Sequence, residues 1–168
     1  GATKANFDFR PYLRQLLERT KTEMATYEDY ANNGSLLYGD MGTALLIMRL
    51  EPSSAIADLV YMRADANTRL PIRELMWGMP GSMIASIAMS EITGEARWKA
   101  IYETQAERLL ADLQETRDGP IWEQDLYGRR LKYLGPVHGY AGNMVPLLRG
   151  WEWLTVDQRA RIVDAVPR

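Results

Sequence analysis

The sequence contains no cysteine and a single histidine, His138, among its 168 residues. Without cysteine the chain can form no disulfide, no thiolate nucleophile and no cysteine-bound zinc site. A lone histidine also excludes a metal site built from histidines alone. Neither sign of charge is in excess, because 20 basic residues stand against 22 acidic ones and the formal net charge is −2. We therefore expect no nucleic acid and no anionic membrane surface as a partner.

Long hydrophobic runs are also absent. The longest apolar stretches, Thr43 to Met48 and Met79 to Met89, fall well short of the roughly 20 residues that a membrane-spanning helix needs. The first residues, Gly1 to Asn6, lack the apolar core of a signal peptide. These absences predict a cytoplasmic protein with no membrane segment. The hydrophobic content of 46% is typical of a globular domain with a real core.

Apolar residues recur at helical spacing along most of the chain, which predicts a single, mostly helical domain. We expect helices at about residues 8–28, 41–50, 53–63, 81–93, 95–114 and 155–166, and loops at 65–71 and 116–134. The helix at 81–93 is apolar on most sides and should lie inside. The helix at 95–114 should pack against it from outside through Trp98, Ile101, Tyr102, Gln105, Leu109 and Leu113.

Three further local expectations concern apolar positions and helix ends. The first helix should bury one stripe, formed by Phe9, Leu13, Leu16, Leu17, Met24 and Tyr27. Thr155 and Gln158 have the spacing of a capping box at the start of the last helix. The core should include Trp77, Met79, Met83 and Met89.

One pattern occurs three times, and each copy is a Gly-x-x-Gly that follows a ring-bearing side chain. The ring residues are Tyr38, Trp77 and His138, and the glycine pairs are Gly39 and Gly42, Gly78 and Gly81, and Gly139 and Gly142. A small or apolar helix follows each copy, with room for an amphipathic helix between copies, which indicates a helical-hairpin repeat. We expect the glycines to allow close packing and to leave N–H groups free at the helix N-termini, where an anion or a polarised oxygen is favoured. This arrangement predicts an all-α fold of the α/α toroid type, incomplete in this chain.

These motifs resemble those of the lanthionine synthetase C-like proteins, including the eukaryotic-type members. The closest matches are Glu74-Leu-Met-Trp-Gly78-Met-Pro-Gly81 and Tyr133-Leu-Gly-Pro-Val-His138-Gly139-Tyr-Ala-Gly142. The second resembles the histidine-glycine signature of that family. The resemblance extends from about Phe9 to Trp151. It implies that the chain is the N-terminal portion of an α/α barrel.

The resemblance also implies an activity, which is the zinc-dependent addition of a thiol to dehydroamino acids in a peptide. In the cyclase members of the family, two cysteines and a histidine hold the zinc, and nothing in this sequence matches those ligands. The resemblance therefore implies no cofactor in this chain and zinc in the intact protein. His138 matches the family's proton donor or acceptor and Glu74 matches an acidic residue near the same cavity, so these two are the expected catalytic residues. The implied partners are a peptide or small thiol substrate, and either the missing C-terminal half of the barrel or a self-associating copy.

Two other classes of function also fit the residues. A sugar-active enzyme on an α/α toroid, a glycosidase or an epimerase, would need Glu74, Glu123 and Asp125 to converge. A non-catalytic binding module would take a peptide or glutathione without a metal. Structural roles remain open as well, because His138 could cap a helix and Glu74 could favour a helix dipole.

The polar segment before the third glycine pair has two interpretations. It could contact a peptide or a sugar, or it could be a solvated loop anchored by two aromatic rings. Its residues are Trp122, Glu123, Asp125, Tyr127, Arg129 and Arg130, and the rings are those of Trp122 and Tyr127. Asp40, inside the first glycine pair, is expected to be an acid of a helical N-terminal turn.

Overall fold

The computed structural model describes residues 8–26, 34–126 and 128–166, and within them the fold is mostly helical, as predicted. The helices are α1 (Arg10–Met24), α2 (Asp40–Leu50), α3 (Ser54–Arg69), α4 (Met79–Thr93), α5 (Ala96–Ala111), α6 (Tyr140–Arg149) and α7 (Val156–Ala165). Strands β1 (Glu123–Leu126) and β2 (Arg129–Lys132) form an antiparallel hairpin in which Glu123 lies opposite Lys132. A short 3-10 helix, Trp151–Trp153, follows α6. The predicted features at Tyr27, at residues 31–33 and at Tyr127 lie outside the described residues.

The boundaries of several helices follow from local chemistry. Ser53 accepts a hydrogen bond from the N–H of Ile56 at the start of α3. Gly94 ends α4 in the left-handed conformation, with φ 68°, which glycine adopts without a steric penalty. Thr155 and Gln158 form the predicted capping box of α7, with each side chain accepting the other residue's backbone N–H. None of the helices in the described part of the chain is long and apolar enough to cross a membrane.

Helix α3 is longer than predicted, so the loop expected from residue 65 is wrong over its first residues. The helix continues to Arg69 and ends at Leu70, the residue before Pro71, where helical geometry is disfavoured. The added turn is mostly polar and its buried face includes Asn67 and Thr68, so a search for apolar periodicity does not detect it. Asn67 within it donates to the carbonyl of Gly34 and to Ser82 Oγ.

The long loop predicted at 116–134 is also partly wrong, because it contains the β hairpin. Trp122, Gln124 and Leu126 are buried and alternate with more exposed residues, as in a strand with one covered face. Trp122 is fully buried and its indole N–H donates to the carbonyl of Leu109. The interpretation of Trp122 as an anchor is therefore confirmed, while the picture of a solvated loop is not.

Helix α6 begins at Tyr140 and carries Pro146 in its interior. Proline removes one N–H donor from the helix. Its carbonyl remains bonded, because it accepts from the Tyr102 hydroxyl at 2.9 Å and from the N–H of Gly150 at 3.0 Å.

The expected apolar stripe of α1 is buried only in part. Leu17 is buried and Leu13 packs against the core, whereas Phe9 and Leu16 are exposed. The packing face of α5 agrees with prediction at five of its six residues, since Trp98, Ile101, Tyr102, Gln105 and Leu109 are buried. The sixth, Leu113, lies beyond the end of the helix and is partly buried. The predicted core residues Trp77, Met79, Met83 and Met89 are buried too.

The helices form two layers. In one layer α2 packs against α4 and α4 packs against α6, and the N-terminal turns of these three helices carry the glycine pairs. In the other layer α3 packs against α5 and α5 against α7. Two core clusters fill the space between the layers, one around α2, α3 and the start of α5, the other around α5, α6 and α7. Helix α4 contributes to both clusters.

Aligned positions of α2, α4 and α6 differ in burial in a regular way. Leu46 of α2 is 54% exposed, but its counterparts in the repeat, Ala85 and Pro146, are buried. Conversely, Leu148 of α6 is 55% exposed, while its counterparts Met48 and Ile87 are 1% and 8% exposed. Helices α2, α4 and α6, which we call the inner helices, are therefore each apolar on two sides. Within the described residues, only α4 packs against another inner helix on both of these sides.

Candidate functional site

The three Gly-x-x-Gly segments fold into the same turn before α2, α4 and α6. A Cβ on the second glycine would lie 2.4 Å from the Leu36 carbonyl oxygen at Gly42, 2.5 Å from that of Leu75 at Gly81, and 2.4 Å from that of Pro136 at Gly142. Such distances are shorter than real side chains tolerate. Glycine is required there because the turn folds back onto the first turn of its own helix.

This folding back occupies N–H groups that the sequence suggested would be free. At the start of α6, the N–H groups of Tyr140, Ala141 and Gly142 donate to the carbonyls of Tyr133, Leu134 and Gly135. The expectation of an anion-binding N-terminus is therefore wrong for α6. The physical reason is that the turn's own carbonyls reach the groups that a ligand would otherwise bind.

One position in the turn caps it with a side chain in two of the three copies. In the first copy Ser35 Oγ accepts the N–H of Tyr38 at 2.9 Å. In the second copy Glu74 takes this place, and its carboxylate accepts the N–H groups of Met76 and Trp77. In the third copy the position is Gly135, which has no side chain. Glu74 therefore has a structural role in its turn, as a cap for backbone N–H groups rather than as an acid within a helix.

Hydrogen bonds join each turn to the next. Ser35 Oγ donates to the carbonyl of Met76 at 2.5 Å, which links the first turn to the second. The N–H of Leu75 donates to the carbonyl of Val137 at 3.0 Å, which links the second turn to the third. Leu75 follows Glu74 and Val137 precedes His138, so the second of these bonds joins the direct neighbours of the two residues. The two predicted site residues are thereby brought together.

Glu74 and His138, although 64 residues apart in the chain, form a hydrogen bond of 2.7 Å between Glu74 Oε2 and His138 Nδ1. The carboxylate of Glu74 is completely buried, whereas the imidazole is 33% exposed. The Tyr133 ring lies 6.1 Å from the imidazole, measured between ring centroids. The pair thus consists of a buried carboxylate and an imidazole that reaches solvent.

The surroundings of Glu74 determine where the shared proton lies. Burial raises the pKa of the Glu74 carboxyl, and the N–H groups of Trp77 and Met76 together with His138 oppose that rise. Both carboxylate oxygens accept backbone N–H groups, an arrangement that suits the ionised form. We therefore assign the proton to Nδ1 of His138, which donates to Glu74 Oε2.

With the proton on Nδ1, the Nε2 atom of neutral His138 is a proton acceptor. No side chain in the described ranges makes a hydrogen bond to Nε2. A carboxylate that fixes the tautomer and orientation of an imidazole is the arrangement used for general acid and base catalysis. The pair can accept a proton at Nε2, hold it as imidazolium beside a carboxylate, and return it.

Two residues that the sequence did not single out contact the backbone just before Glu74. Gln124, from β1, accepts the N–H of Arg73 at 3.1 Å and donates to the carbonyl of the same residue. Asn143, from α6, also donates to that carbonyl, at 2.6 Å. Both side chains are completely buried. The alternation of Trp122, Gln124 and Leu126 was the available signal for Gln124, because it indicates an inward-facing amide.

The other polar candidates lie elsewhere. Asp40 is the first residue of α2, as expected, and its buried carboxylate pairs with Arg63 at 2.8 Å. Glu123 and Asp125 both face Arg130, at 3.5 and 3.7 Å. They line an open groove of about 390 Å³ with Arg73 and Asp112, and Glu74 is not among its lining residues. The structure therefore does not bring Glu74 together with Glu123 and Asp125.

The zinc implied by the resemblance does not fit the residues of this chain. The sequence has no cysteine, so the two cysteine ligands cannot come from it. Within residues 8–26, 34–126 and 128–166, no three histidine or acidic side chains are grouped in a way that could hold a metal ion.

Comparison with protein-family models gives no match, and comparison with the sequences of curated proteins gives none either.

Proposed function

We propose that this chain is the N-terminal portion of a lanthionine synthetase C-like α/α toroid, and that its Glu74–His138 pair transfers the proton when a thiol adds to a dehydroamino acid in a peptide. The observation that carries the proposal is the 2.7 Å contact between Glu74 and His138. Each of these residues was singled out by a separate motif, and they are 64 positions apart in the sequence. Their contact is expected if both motifs serve one site.

The toroid is supported by the two layers of helices and by the exposed edges. Helices α2, α4 and α6 follow one another in the inner layer with the same glycine turn at the same end. Leu46 at one edge and Leu148 at the other are exposed where their counterparts in the repeat are buried. An array of this kind has an unsatisfied apolar face wherever it stops. Further hairpins of the same type would cover both faces and close the ring.

In the proposed reaction, neutral His138 accepts the proton of the thiol at Nε2 as the sulfur forms its bond to Cβ of the dehydroamino acid. The π electrons of the alkene move toward the carbonyl, giving an enolate. The imidazolium then returns the same proton from Nε2 to Cα, so that no net proton is gained or lost. Glu74 stabilises the transient imidazolium through Nδ1–H. A buried carboxylate suits this role because its attraction for the imidazolium is weakly screened.

The alternative functions have weaker support. A sugar-active enzyme would use Glu123 and Asp125 with Glu74, but the first two line a separate groove and pair with Arg130. A module that binds a peptide or glutathione without reacting is the competing proposal. Binding alone does not require the contact between Glu74 and His138, so this contact favours the enzyme. The experiment below separates it from the enzyme.

The test uses the natural gene product in full, incubated with a dehydroalanine-containing peptide and a small thiol. Thioether formation is followed by mass spectrometry, and bound zinc is measured on the same sample. We expect His138→Asn to lower kcat by about 10²-fold or more, as removal of a positioned acid or base does. The peptide Kd should stay unchanged, because the proposed role of His138 is to transfer a proton. Zinc content should stay unchanged too, because the implied cysteine ligands match no residue of this chain.

Two results would contradict the proposal. If the natural protein binds the peptide or the thiol without turnover, the binding-module interpretation replaces it. If thioether formation is equally fast with His138→Asn, the pair does not transfer the proton. Arg129→Gln is the matched control, because Arg129 is an exposed residue on β2 whose side chain makes no hydrogen bond or ion pair within the described part of the chain.

A further inference from the structure

We propose that Gln124 of strand β1 is a positioning residue for the Glu74–His138 pair and acts through the backbone of Arg73. This inference rests on the proposed function of the pair, although its test measures the geometry directly. Gln124 uses its amide oxygen and its amide nitrogen on the same residue, accepting the N–H of Arg73 at 3.1 Å and donating to its carbonyl. The N–H belongs to the Ile72–Arg73 peptide and the carbonyl to the Arg73–Glu74 peptide, so the double contact holds the backbone on both sides of Arg73.

The second of these peptides, Arg73–Glu74, comes immediately before Glu74. On the other side of Glu74, the N–H of Leu75 is held by the carbonyl of Val137, the neighbour of His138. Glu74 is thus fixed from both directions, by the hairpin through Arg73 and by the third turn through Leu75. A rotation of the Arg73–Glu74 peptide would break the bonds to the Arg73 carbonyl and would move the carboxylate relative to the imidazole.

Within the described residues, the hairpin between the second and third turns has no counterpart between the first two turns. Its inward face consists of Gln124 and Leu126. Leu126 packs with Trp77 in a small cluster that Ile72, Met76 and Tyr133 surround. Most of that cluster belongs to the two turns that carry Glu74 and His138. The hairpin therefore packs against the turns that carry the pair, through Leu126 by apolar contact and through Gln124 by hydrogen bonds.

Asn143 also holds the Arg73–Glu74 peptide. Its Nδ2 donates to the carbonyl of Arg73 at 2.6 Å, so this carbonyl keeps one partner when Gln124 is changed. The N–H of Arg73 would have none from either side chain. Loss of Gln124 should therefore loosen the backbone at Arg73, and with it the attachment of Glu74, without unfolding the turn.

The experiment exploits the fact that His138 is the sole histidine of the sequence. Protein labelled with ¹⁵N-histidine gives one pair of imidazole signals, whose chemical shifts report which nitrogen carries the proton. At a pH where the imidazole is neutral, we expect its one proton to lie on Nδ1 in the wild type. In Gln124→Met, which keeps a similar volume and removes both bonds, most of this preference should be lost.

Gln105→Met is the matched control for lost stability. Gln105 is also a completely buried glutamine, but it donates to the Ala64 carbonyl and to Thr68 Oγ1, away from the pair. It should lower the Tm by a similar amount and leave the His138 signals as in the wild type. Should Gln124→Met fail to fold, Gln124→Glu keeps the acceptor for the Arg73 N–H and places an oxygen against the Arg73 carbonyl. The same loss of the Nδ1 preference is expected from it.

The possible results distinguish failure of the role of Gln124 from failure of the Glu74–His138 pair. If folded Gln124→Met or Gln124→Glu retains the wild-type proton position, Gln124 does not position the pair, and this inference is overturned while the pair stands. If Gln105→Met changes the His138 signals as strongly as Gln124→Met, the effect reflects stability alone, and the inference is again overturned. If the wild type does not carry the proton on Nδ1, the pair itself is absent in solution, and the proposed function fails with it.

Discussion

Glu74 has two roles that one substitution can separate. It caps its turn by accepting backbone N–H groups, as Ser35 does in the first copy, and it also contacts His138. In Glu74→Ser we expect the cap to persist, because serine performs it in the first turn, while His138 loses its partner. The ¹⁵N shifts of His138 should then show loss of the Nδ1 proton with little change in Tm. An unchanged Nδ1–H signal would contradict the assigned pair, and Ser35→Ala serves as the control that removes a cap without touching His138.

The same variant tests the electrostatics of Glu74 through the pH dependence of stability. The pKa of Glu74 is raised by burial above its ordinary value of 4.5, so the folded state holds the proton more tightly than the unfolded chain. The stabilising contribution is complete below the unfolded pKa and is lost as the pH rises through the folded pKa. The free energy of unfolding of the wild type should therefore fall relative to Glu74→Ser from pH 4.5 upward. Urea titrations across this range measure the difference, and a difference that grows with pH in favour of the wild type would contradict the direction of the shift.

At the scale of the element, the glycine turns make a prediction about close packing. Gly142→Ala would place a Cβ 2.4 Å from the carbonyl oxygen of Pro136. We expect a loss of about 1–3 kcal/mol in the free energy of unfolding, which is the usual cost of forcing an atom into a filled site. Gly135→Ala is the control, since a Cβ there meets no atom within 4 Å. Equal stability of the two variants would show that the turn does not need its second glycine for space.

The sequence predicted elements well where glycine or a regular apolar face defines them, and poorly where buried polar groups do. Helices α4 and α5 lie within a few residues of their predicted limits, because the turn before Gly81 and the left-handed Gly94 delimit α4. The last turn of α3 was missed since Asn67 is buried by hydrogen bonds to Gly34 and Ser82, not by hydrophobicity. The β hairpin was missed for a similar reason, because its inward residue Gln124 reads as polar in the sequence. The contact of Glu74 with His138 depends on these tertiary bonds, so the motifs could name both residues without showing that they meet.

At the scale of the whole molecule, the two exposed edges of the inner layer predict that copies of the chain associate. Leu46 on α2 and Leu148 on α6 are apolar, about half exposed, and equivalent to positions that another inner helix covers elsewhere in the repeat. If each edge fits a neighbouring inner helix, the α2 edge of one copy should also accept the α6 edge of another at high concentration. Such a contact is head-to-tail, so Leu46→Glu alone or Leu148→Glu alone should abolish it.

Mixing the two variants should restore a single dimer, because the unmodified α6 edge of Leu46→Glu can meet the unmodified α2 edge of Leu148→Glu. Sedimentation equilibrium of each variant and of the equimolar mixture measures this. Neither variant should lose much stability, since both side chains are exposed, whereas Ile87→Glu, at the buried equivalent of Leu148 in α4, should unfold the protein. Variants that associate as the wild type does, or a mixture that stays monomeric while the wild type associates, would show that these edges are ordinary surface. A restored dimer would mean that the apolar sides of α2 and α6 can each be covered by another inner helix, as both sides of α4 are in the structure.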